Sequence, residues 1–306
     1  MTDTINVSFK GSSSHKPDWF KIRPPSTEKF SEVRQTIKKY GLTTICAEGH
    51  CPNLSECWSG GTATFMVMGE VCTRGCRFCN VKTAAKGVEL DKEEPQKLVK
   101  ALKEMNIFDY VVITSVDRDD LEDQGSNHFA ECIRAIKQDN PDMLVEVLIP
   151  DFRGDLKLLK NIVDAKPDVI SHNVETVDRL QRTTRDIRAN YKQSLSILEA
   201  VKKMNPNIIT KSAIMLGIGE TKEEVTQTMK DLRNIGVEIF TIGQYLRPTE
   251  KHMKIVNYVH PEVFKEYEKI GEELGFAFVA SGPFVRSSYK AGELFIKNIL
   301  QKKHEA

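Results

Sequence analysis

Tyr110-Val111-Val112-Ile113-Thr114-Ser115 reads as a strand buried on both faces, because aromatic and β-branched residues follow one another without polar alternation. Working outward, comparable runs stand at 64–69 (Thr64-Phe65-Met66-Val67-Met68-Gly69), 144–149, 168–173, 207–214 and 238–243. Helical spacing fills the intervals: Leu98, Leu102 and Met105; Phe129, Ile133 and Ile136; Tyr191, Leu195, Leu198 and Val201; Val225, Met229, Leu232 and Ile235. A last helical pattern, Val263 to Leu274, starts after Pro261, and Thr221 with Glu224 has the form of a capping box. Strands of this kind alternating with helices predict a parallel sheet with crossover helices. Six such units are too few for a closed eight-fold barrel, so an open barrel and a doubly wound sheet both fit. Both put their site at the C-terminal ends of the strands. The candidate positions are therefore Gly69–Cys79, Thr114–Asp120, His172–Thr176, Met215–Glu220 and Gly243–Arg247.

The chain has 306 residues, enough for about two ordinary domains or one large barrel with extensions. Its 44 Lys and Arg against 43 Asp and Glu give a net charge of +1, which excludes a globally basic nucleic-acid binder. No apolar run reaches the length of a membrane span. The first 25 residues carry Asp3 and Asp18 and no apolar stretch, so the expected location is the cytoplasm. Up to about Pro25 the sequence is polar and reads as a surface arm. A helix around Phe30, Val33 and Ile37 follows, with Gly41 just past its end, and residues 42–61 look like loop.

Seven cysteines complete the inventory, six of them between Cys46 and Cys79. Cys72, Cys76 and Cys79 form a CX3CX2C motif just after the first predicted strand. Three thiolates on one short loop suit a [4Fe–4S] cluster that keeps its fourth iron open for a small molecule; structural zinc asks for four closed ligands. Gly75 is expected to let the loop turn tightly. Cys46, Cys51 and Cys57 form a second triad, CX4CX5C, upstream of that strand. It reads as a second cluster, with packed thiols, a zinc site including His50, or ligands to one shared cluster as the alternatives. Cys132 falls on the apolar stripe of a helix and reads as a core thiol.

The CX3CX2C motif with Phe78 before its last cysteine resembles the radical S-adenosylmethionine superfamily. The pair of triads resembles the lipoyl synthase family within it. Lys16-Pro17-Asp18-Trp19, the stretch Thr114 to Leu121, His172 to Thr176 and Val285-Arg286-Ser287-Ser288-Tyr289 agree with that family, so the resemblance runs from about residue 16 to about 295. It implies an α/β fold: an open partial (β/α)6 TIM-like barrel with N-terminal and C-terminal extensions. The implied division is 1–61 for the extension with the upstream triad, 62–280 for the barrel and 281–306 for the C-terminal segment.

The resemblance also implies two [4Fe–4S] clusters. Cys72, Cys76 and Cys79 would hold the one that binds S-adenosylmethionine. Cys46, Cys51 and Cys57, with Ser287 as fourth ligand, would hold an auxiliary one; from the residues alone Ser287 and Ser288 would equally suit a helix N-cap. Reductive cleavage of S-adenosylmethionine would give a 5′-deoxyadenosyl radical. Two such events, and sulfur from the dismantled auxiliary cluster, would convert a protein-bound octanoyl chain to lipoyl at C6 and C8. Phe78, Thr114, Ser115, Asp117, Asn173, Glu175, Gly217 and Glu220 are the candidate contacts to S-adenosylmethionine or substrate, although Gly217–Glu220 also suits a plain turn into a capped helix. Arg185 and Arg188 would suit a carboxylate or solvent equally. The implied partners are octanoylated carrier domains (2-oxoacid dehydrogenase acyltransferase subunits and the glycine cleavage H protein), a low-potential donor such as ferredoxin or flavodoxin, and cluster-assembly proteins. No nucleic acid and no membrane is expected. Eight Lys and Arg against four Asp and Glu in the first 40 residues fit an acidic carrier as well as they fit a solvated basic face. The rival readings are another sulfur-inserting enzyme of the superfamily and a zinc-stabilised interaction module without catalysis.

Overall fold

The computed structural model describes residues 17, 27–60, 63–107 and 109–288. Seven parallel strands run side by side in sequence order: β1 (Thr64–Val67), β2 (Tyr110–Ser115), β3 (Leu144–Leu148), β4 (Val169–Ser171), β5 (Ile209–Leu216), β6 (Ile239–Gln244) and β7 (Phe278–Gly282). Each strand pairs with the next, as in Thr64 opposite Val112 and Gly243 opposite Gly282. A doubly wound sheet would reverse direction at a switch point. The order here never reverses, so the sheet curls one way into an open barrel.

Six helices make the crossovers: α4 (Glu94–Glu104), α5 (Ser126–Asp139), α6 (Leu156–Asp164), α8 (Tyr191–Met204), α9 (Lys222–Asn234) and α10 (Pro261–Glu273). Thr221 and Glu224 make the expected capping box on α9, and Pro261 opens α10. The structure adds to the sequence reading in three places. Strand β7 is a seventh strand whose Ala280, Ser281 and Gly282 carry little β signal. Helix α6 was not anticipated, although Leu159, Ile162 and Val163 form its buried stripe and the Asp155 side chain caps it. The 42–61 stretch is not all loop: after α1 (Glu28–Lys39) it holds α2 (Ile45–Glu48) and α3 (Leu54–Ser59). The stretch after Ser288, where the N-cap reading of Ser287 and Ser288 would start a helix, lies outside the described residues. The four-residue α7 (Gln181–Thr184) precedes α8.

Strand alternation sorts the residues into layers. Val111, Ile113, Val145 and Val147 point outward to the helices and are buried there. The inward residues at the strand starts, Tyr110, Val112, Val169, Ile209 and Ile239, form a small apolar plug with Leu144 and Phe278. Above the plug, Lys211 on β5 meets Glu146 on β3 at 2.7 Å, both about 1% exposed, and the Tyr110 hydroxyl also donates to Glu146. Higher still, Thr114, Leu148, Ala213 and Gly243 face a cavity instead of a packed core. The barrel is thus closed at its base and open at the strand ends.

The extension and the C-terminal segment cover the two sheet edges. Met66 N donates to Thr43 O (2.8 Å), so the chain before α2 lies along the free edge of β1. At the far edge, a Cβ on Gly243 would lie 2.1 Å from Val285 O, so only glycine admits the C-terminal segment there. Asn53 Nδ2 donates to Phe284 O at 2.7 Å and joins the extension to that segment across the open seam.

Removing one partner of a buried ion pair leaves the other charge uncompensated. Lys211→Met is expected to cost about 3–5 kcal/mol in urea unfolding. Lys211→Met combined with Glu146→Leu is expected to recover more than half of that loss.

Candidate active site

The chain leaves β1 through two left-handed residues, Met68 (φ 68°) and Gly69 (φ 82°). Glu94 fixes this turn: its carboxylate accepts from Met68 N at 2.9 Å and meets His128 Nε2 at 2.7 Å. A two-residue ladder, Val71–Cys72 beside Lys82–Thr83, then frames the loop that carries the CX3CX2C motif. The loop is pinned along its length. Thr73 N donates to Asp117 O (3.0 Å), Gly75 N to the Asp186 carboxylate (2.8 Å) and Arg77 N to Thr184 O (2.9 Å). His252 Nε2 lies 3.0 Å from Cys79 O. At its centre the buried Arg74 guanidinium contacts Asp117 at 3.2 Å, Asp119 at 2.8 Å and Asp151 at 2.7 Å. Protein atoms do not require glycine at 75: a Cβ there would meet only Asp186 Oδ2, at 3.9 Å.

Backbone N–H groups already point at two of the sulfurs. Arg74 N donates to Cys72 Sγ (3.4 Å) and Asp186 N to Cys76 Sγ (3.3 Å). Burial nonetheless pushes the thiols of Cys72, Cys76 and Cys79 up to about 12, so a cation is needed to hold them as thiolates. In the second triad Cys46 sits on α2, Cys57 on α3 and Cys51 between them. Burial raises both Cys46 and Cys51, with the nearby Arg286 cation opposing it at Cys51.

Five of the six triad cysteines, all but Cys57, wall one cavity of about 370 Å³. A smaller space of about 30 Å³ adjoins Cys46, Cys51 and Cys57 together. Ser287 lines the large cavity, and Ser288 lines both. Neither triad has the geometry of a single-ion site. Zinc with thiolates at about 2.3 Å would draw its sulfurs to within about 3.8 Å of one another. Among the described residues, the one set of three His, Cys, Asp or Glu ligand atoms that all lie within 4.8 Å of one another is Glu94, His128 and Cys132. That set belongs to the core turn described above, and Cys132 is fully buried as expected. The wider spacing of the triads suits a polynuclear cluster with one thiolate per iron.

Of the candidate contacts, Phe78, Thr114, Ser115, Asp117, Asn173 and Glu175 line the large cavity. Gly217 and Glu220 do not. The Glu220 carboxylate is spent within its own turn, accepting from Gly217 N (2.6 Å) and Ile218 N (3.0 Å), and a Cβ on Gly217 would collide with Gln244. The plain-turn reading of that stretch is the one observed. Strand β4 ends at Ser171, two residues earlier than expected, which frees His172 and Asn173 for the cavity wall. Glu175 adopts φ 66° as its N–H and C=O bridge to β5.

The polar groups of this wall are unusually bare. Ser115 Oγ, Asn173 Oδ1, Asp151 Oδ2 and Arg185 Nε are buried without a hydrogen-bond partner. Burial raises Asp117 to about 6 against the pull of Arg74, and burial raises Glu175 against Arg185. Burial also acts on Asp151, but there Arg74 prevails and lowers it. Arg185 is fixed from behind: its Nη1 donates to Ser194 Oγ (2.7 Å), which lies 2.9 Å from His172 Nε2. Arg188 is engaged elsewhere, by Asp186 (2.8 Å) and Thr73 O (2.6 Å). Sequence reasoning singled out neither Arg74, Asp151 nor Ser194. Arg74 stood inside the cysteine motif and Asp151 just past a strand end, but only contacts reveal their pairing.

Comparison with known proteins places this geometry in context. A family model described as the Radical SAM superfamily matches residues 66–232. A lipoyl synthase of Halobacterium salinarum is 54% identical over 297 residues, covering 95% of this chain and 94% of that protein. A mitochondrial lipoyl synthase of Culex quinquefasciatus is 52% identical over 295 residues, covering 95% and 77%. Among solved structures, the FeFe-hydrogenase maturase HydG from Carboxydothermus hydrogenoformans aligns with a TM-score of 0.56 at 15% identity, over 89% of this chain and 78% of that one, a likeness of fold.

Burial first, and then the Arg185 cation, lower His172 from 6.5 to about 4. The folded chain therefore binds fewer protons than the unfolded one between those values. Stability from neutral His172 is full above pH 6.5 and is lost as pH falls through 4, by about 3 kcal/mol. His172→Gln is expected to flatten the pH dependence of urea stability in that window. An unchanged acid slope would refute the assignment.

Proposed function

This chain belongs to the lipoyl synthase family of the radical S-adenosylmethionine superfamily, and from that premise we infer that it inserts two sulfur atoms, at C6 and C8, into an octanoyl chain carried by a protein lysine. The observation that carries the reading is the shared cavity: five of the six triad cysteines, from both triads, wall one space at the strand ends. A methylene has neither an acidic proton nor a leaving group, so the chemistry has to come from bound cofactors. When bound, S-adenosylmethionine and a cluster at Cys72, Cys76 and Cys79 supply hydrogen abstraction, and a cluster at Cys46, Cys51 and Cys57 supplies sulfur.

The chain's own residues do the rest. Arg74 and its three carboxylates hold the first triad against the ends of β2 and β3. Arg185 offers its free Nε–H to the carboxylate of S-adenosylmethionine, and Asn173 Oδ1 and Glu175 accept from its amino or hydroxyl groups. Ser115, Thr114 and Phe78 complete that wall; Thr114 Oγ1 is already bonded to Leu148 O at 3.1 Å. Met66, Leu148, Ile149 and Ala213 give the cavity apolar walls that suit an acyl chain and exclude water.

The finer points belong to the same reading. Two S-adenosylmethionine molecules are consumed per lipoyl group, one for each hydrogen removed. The auxiliary cluster takes its fourth ligand from Arg286-Ser287-Ser288. Family resemblance points to Ser287, whereas the small cavity favours Ser288, which borders it beside all three thiols. The segments 1–61, 62–280 and 281–306 act as the auxiliary-cluster arm, the radical core and the closing strap. The acceptors are the acyltransferase subunits of 2-oxoacid dehydrogenases and the glycine cleavage H protein. Ferredoxin or flavodoxin supplies electrons, and cluster-assembly proteins rebuild the sacrificed cluster. All seven cysteines are free thiols, which suits a reducing cytoplasm. Among the described residues no helix is long and apolar enough to cross a membrane.

Anaerobic reconstitution is expected to load about eight irons per chain, at four per triad. Loading of only one cluster's iron would refute the two-cluster reading. Alanine at Cys72, Cys76 or Cys79 is expected to abolish cleavage of S-adenosylmethionine. Alanine at Cys46, Cys51 or Cys57 is expected to leave cleavage but no thiolated product, as read by mass spectrometry of an octanoylated carrier peptide. Comparing Ser287→Ala with Ser288→Ala identifies the fourth ligand, since only the ligand's loss should alter the auxiliary cluster's Mössbauer signature and lower lipoyl yield. Lipoyl product from an upstream-triad variant would sink the sulfur-donor assignment.

A further inference from the structure

The first triad's loop does not lie wholly inside the protein. Cys76 stands between Gly75 and Arg77, both exposed, so a single turn of backbone separates this part of the cavity wall from solvent. Two other segments flank the same turn. On one side is 181–188, bonded through Arg77 Nη1 to Thr183 O (3.2 Å) and Gly75 N to Asp186 (2.8 Å). On the other is 247–254, bonded through Met253 N to Arg77 O (3.2 Å) and His252 to Cys79 O (3.0 Å). The three segments therefore make one continuous outer face.

That face is one-sided in charge. Its exposed cations are Arg77, Arg182, Lys251 and Lys254, and among the described residues none of them has a carboxylate partner within 4.0 Å. Its carboxylates are Glu250, exposed, and Asp186, already bound by Arg188 at 2.8 Å. Ile187 lies in the same face with 72% of its surface exposed, the most open large apolar side chain among the described residues. Elsewhere among the described residues exposed cations are partly paired, as in Lys39 with Glu104, Lys82 with Glu70, Lys103 with Asp139 and Lys222 with Glu266, and unpaired ones such as Lys100 and Arg134 stand on crossover helices away from the cysteine loop. Unpaired cations around one exposed apolar residue are the complement of an acidic protein surface with an apolar centre.

We propose that this face, formed by 74–79, 181–188 and 247–254, docks a small acidic one-electron carrier protein. The inference rests on the reading above, in which the loop holds a cluster that must be reduced before each cleavage. One electron leaves the carrier and enters the chain for each S-adenosylmethionine cleaved. The carrier is oxidised by that one electron, and no atom passes between the proteins. Placing the carrier here gives the electron a short protein path, through the backbone turn at Cys76. It also leaves the cavity free for the octanoyl substrate.

The test compares two reductants on the reconstituted full-length enzyme, reading 5′-deoxyadenosine release. Flavodoxin reduced beforehand is the protein probe, and dithionite is the small reductant that needs no docking. The variant Arg182→Glu/Lys251→Glu/Lys254→Glu reverses the charge and spares Arg77, whose side chain supports the 183 carbonyl. At low salt the flavodoxin-driven rate is expected to fall by about tenfold or more, while the dithionite-driven rate stays within about twofold. Added salt should slow the flavodoxin reaction of the unaltered enzyme and leave the dithionite reaction unchanged. Ile187→Asp should act in the same direction as the triple variant. An unchanged flavodoxin rate overturns the proposal. Equal loss with both reductants also overturns it, and a raised KM for the octanoylated carrier under dithionite would assign the face to the substrate domain. Failure of the unaltered enzyme to cleave S-adenosylmethionine even with dithionite would instead refute the underlying functional reading.

Discussion

The buried guanidinium of Arg74 is the contact on which the site depends. It lies inside the CX3CX2C motif, yet its three carboxylate partners come from the loops after β2 (Asp117 and Asp119) and β3 (Asp151). A free loop of eight residues would sample many conformations, and ordering it costs about 1–2 kcal/mol of backbone entropy per residue. Backbone hydrogen bonds along the loop help offset that cost, and the ion cluster locks the cysteines to the strand ends in one arrangement. Asp119 ties in further cations, Arg153 at 2.8 Å and Arg188 at 3.3 Å, so one ion network joins the loop, both strand ends and the 181–188 segment. Charges buried this deeply contribute mainly positional definition, because their desolvation consumes much of the Coulomb gain.

The barrel beneath gives that arrangement a reaction space closed at its base. Its inward layers change character with height: apolar at the base, ionic at Glu146 and Lys211, then small or polar residues around the cavity. The plug and ion pair close the base against water. The bare hydrogen-bonding atoms of Ser115, Asn173, Asp151 and Arg185 stand in the upper tier, where a bound molecule can satisfy them.

An open barrel has two sheet edges, and here each edge brings one part of the second thiol site. The segment before α2 covers β1 and delivers Cys46, while the segment after β7 threads past Gly243 and delivers Arg286, Ser287 and Ser288. Asn53 and Phe284 join the two across 231 positions of sequence. The upstream triad would otherwise be a local feature of a short helical arm. Edge covering sets it opposite the first triad in the same cavity.

The sequence alone determined what local chemistry can specify. Cysteine spacing marked two thiol triads, and the helical and strand periods located six strands and five of the six crossover helices, since periodicity is a property of neighbouring residues. Weak local signals escaped: β7 is built partly from Ala280, Ser281 and Gly282, and α6 has one short apolar stripe. Residue patterns alone left open barrel and doubly wound sheet side by side, and only the family resemblance pointed to the open barrel that is observed, because strand order is set by how a twisted sheet packs its crossovers. The site divides along the same line. Cys72, Cys76 and Cys79 were legible as a motif, as were Asn173 and Glu175 by their place at a strand end. The pairing of Arg74 with Asp151 and the relay from His172 through Ser194 to Arg185 were decided by tertiary structure. A side chain's charge and hydrogen-bonding groups are written in its residue type, but the partner that occupies them, or leaves them free for a ligand, is chosen only when distant segments pack together.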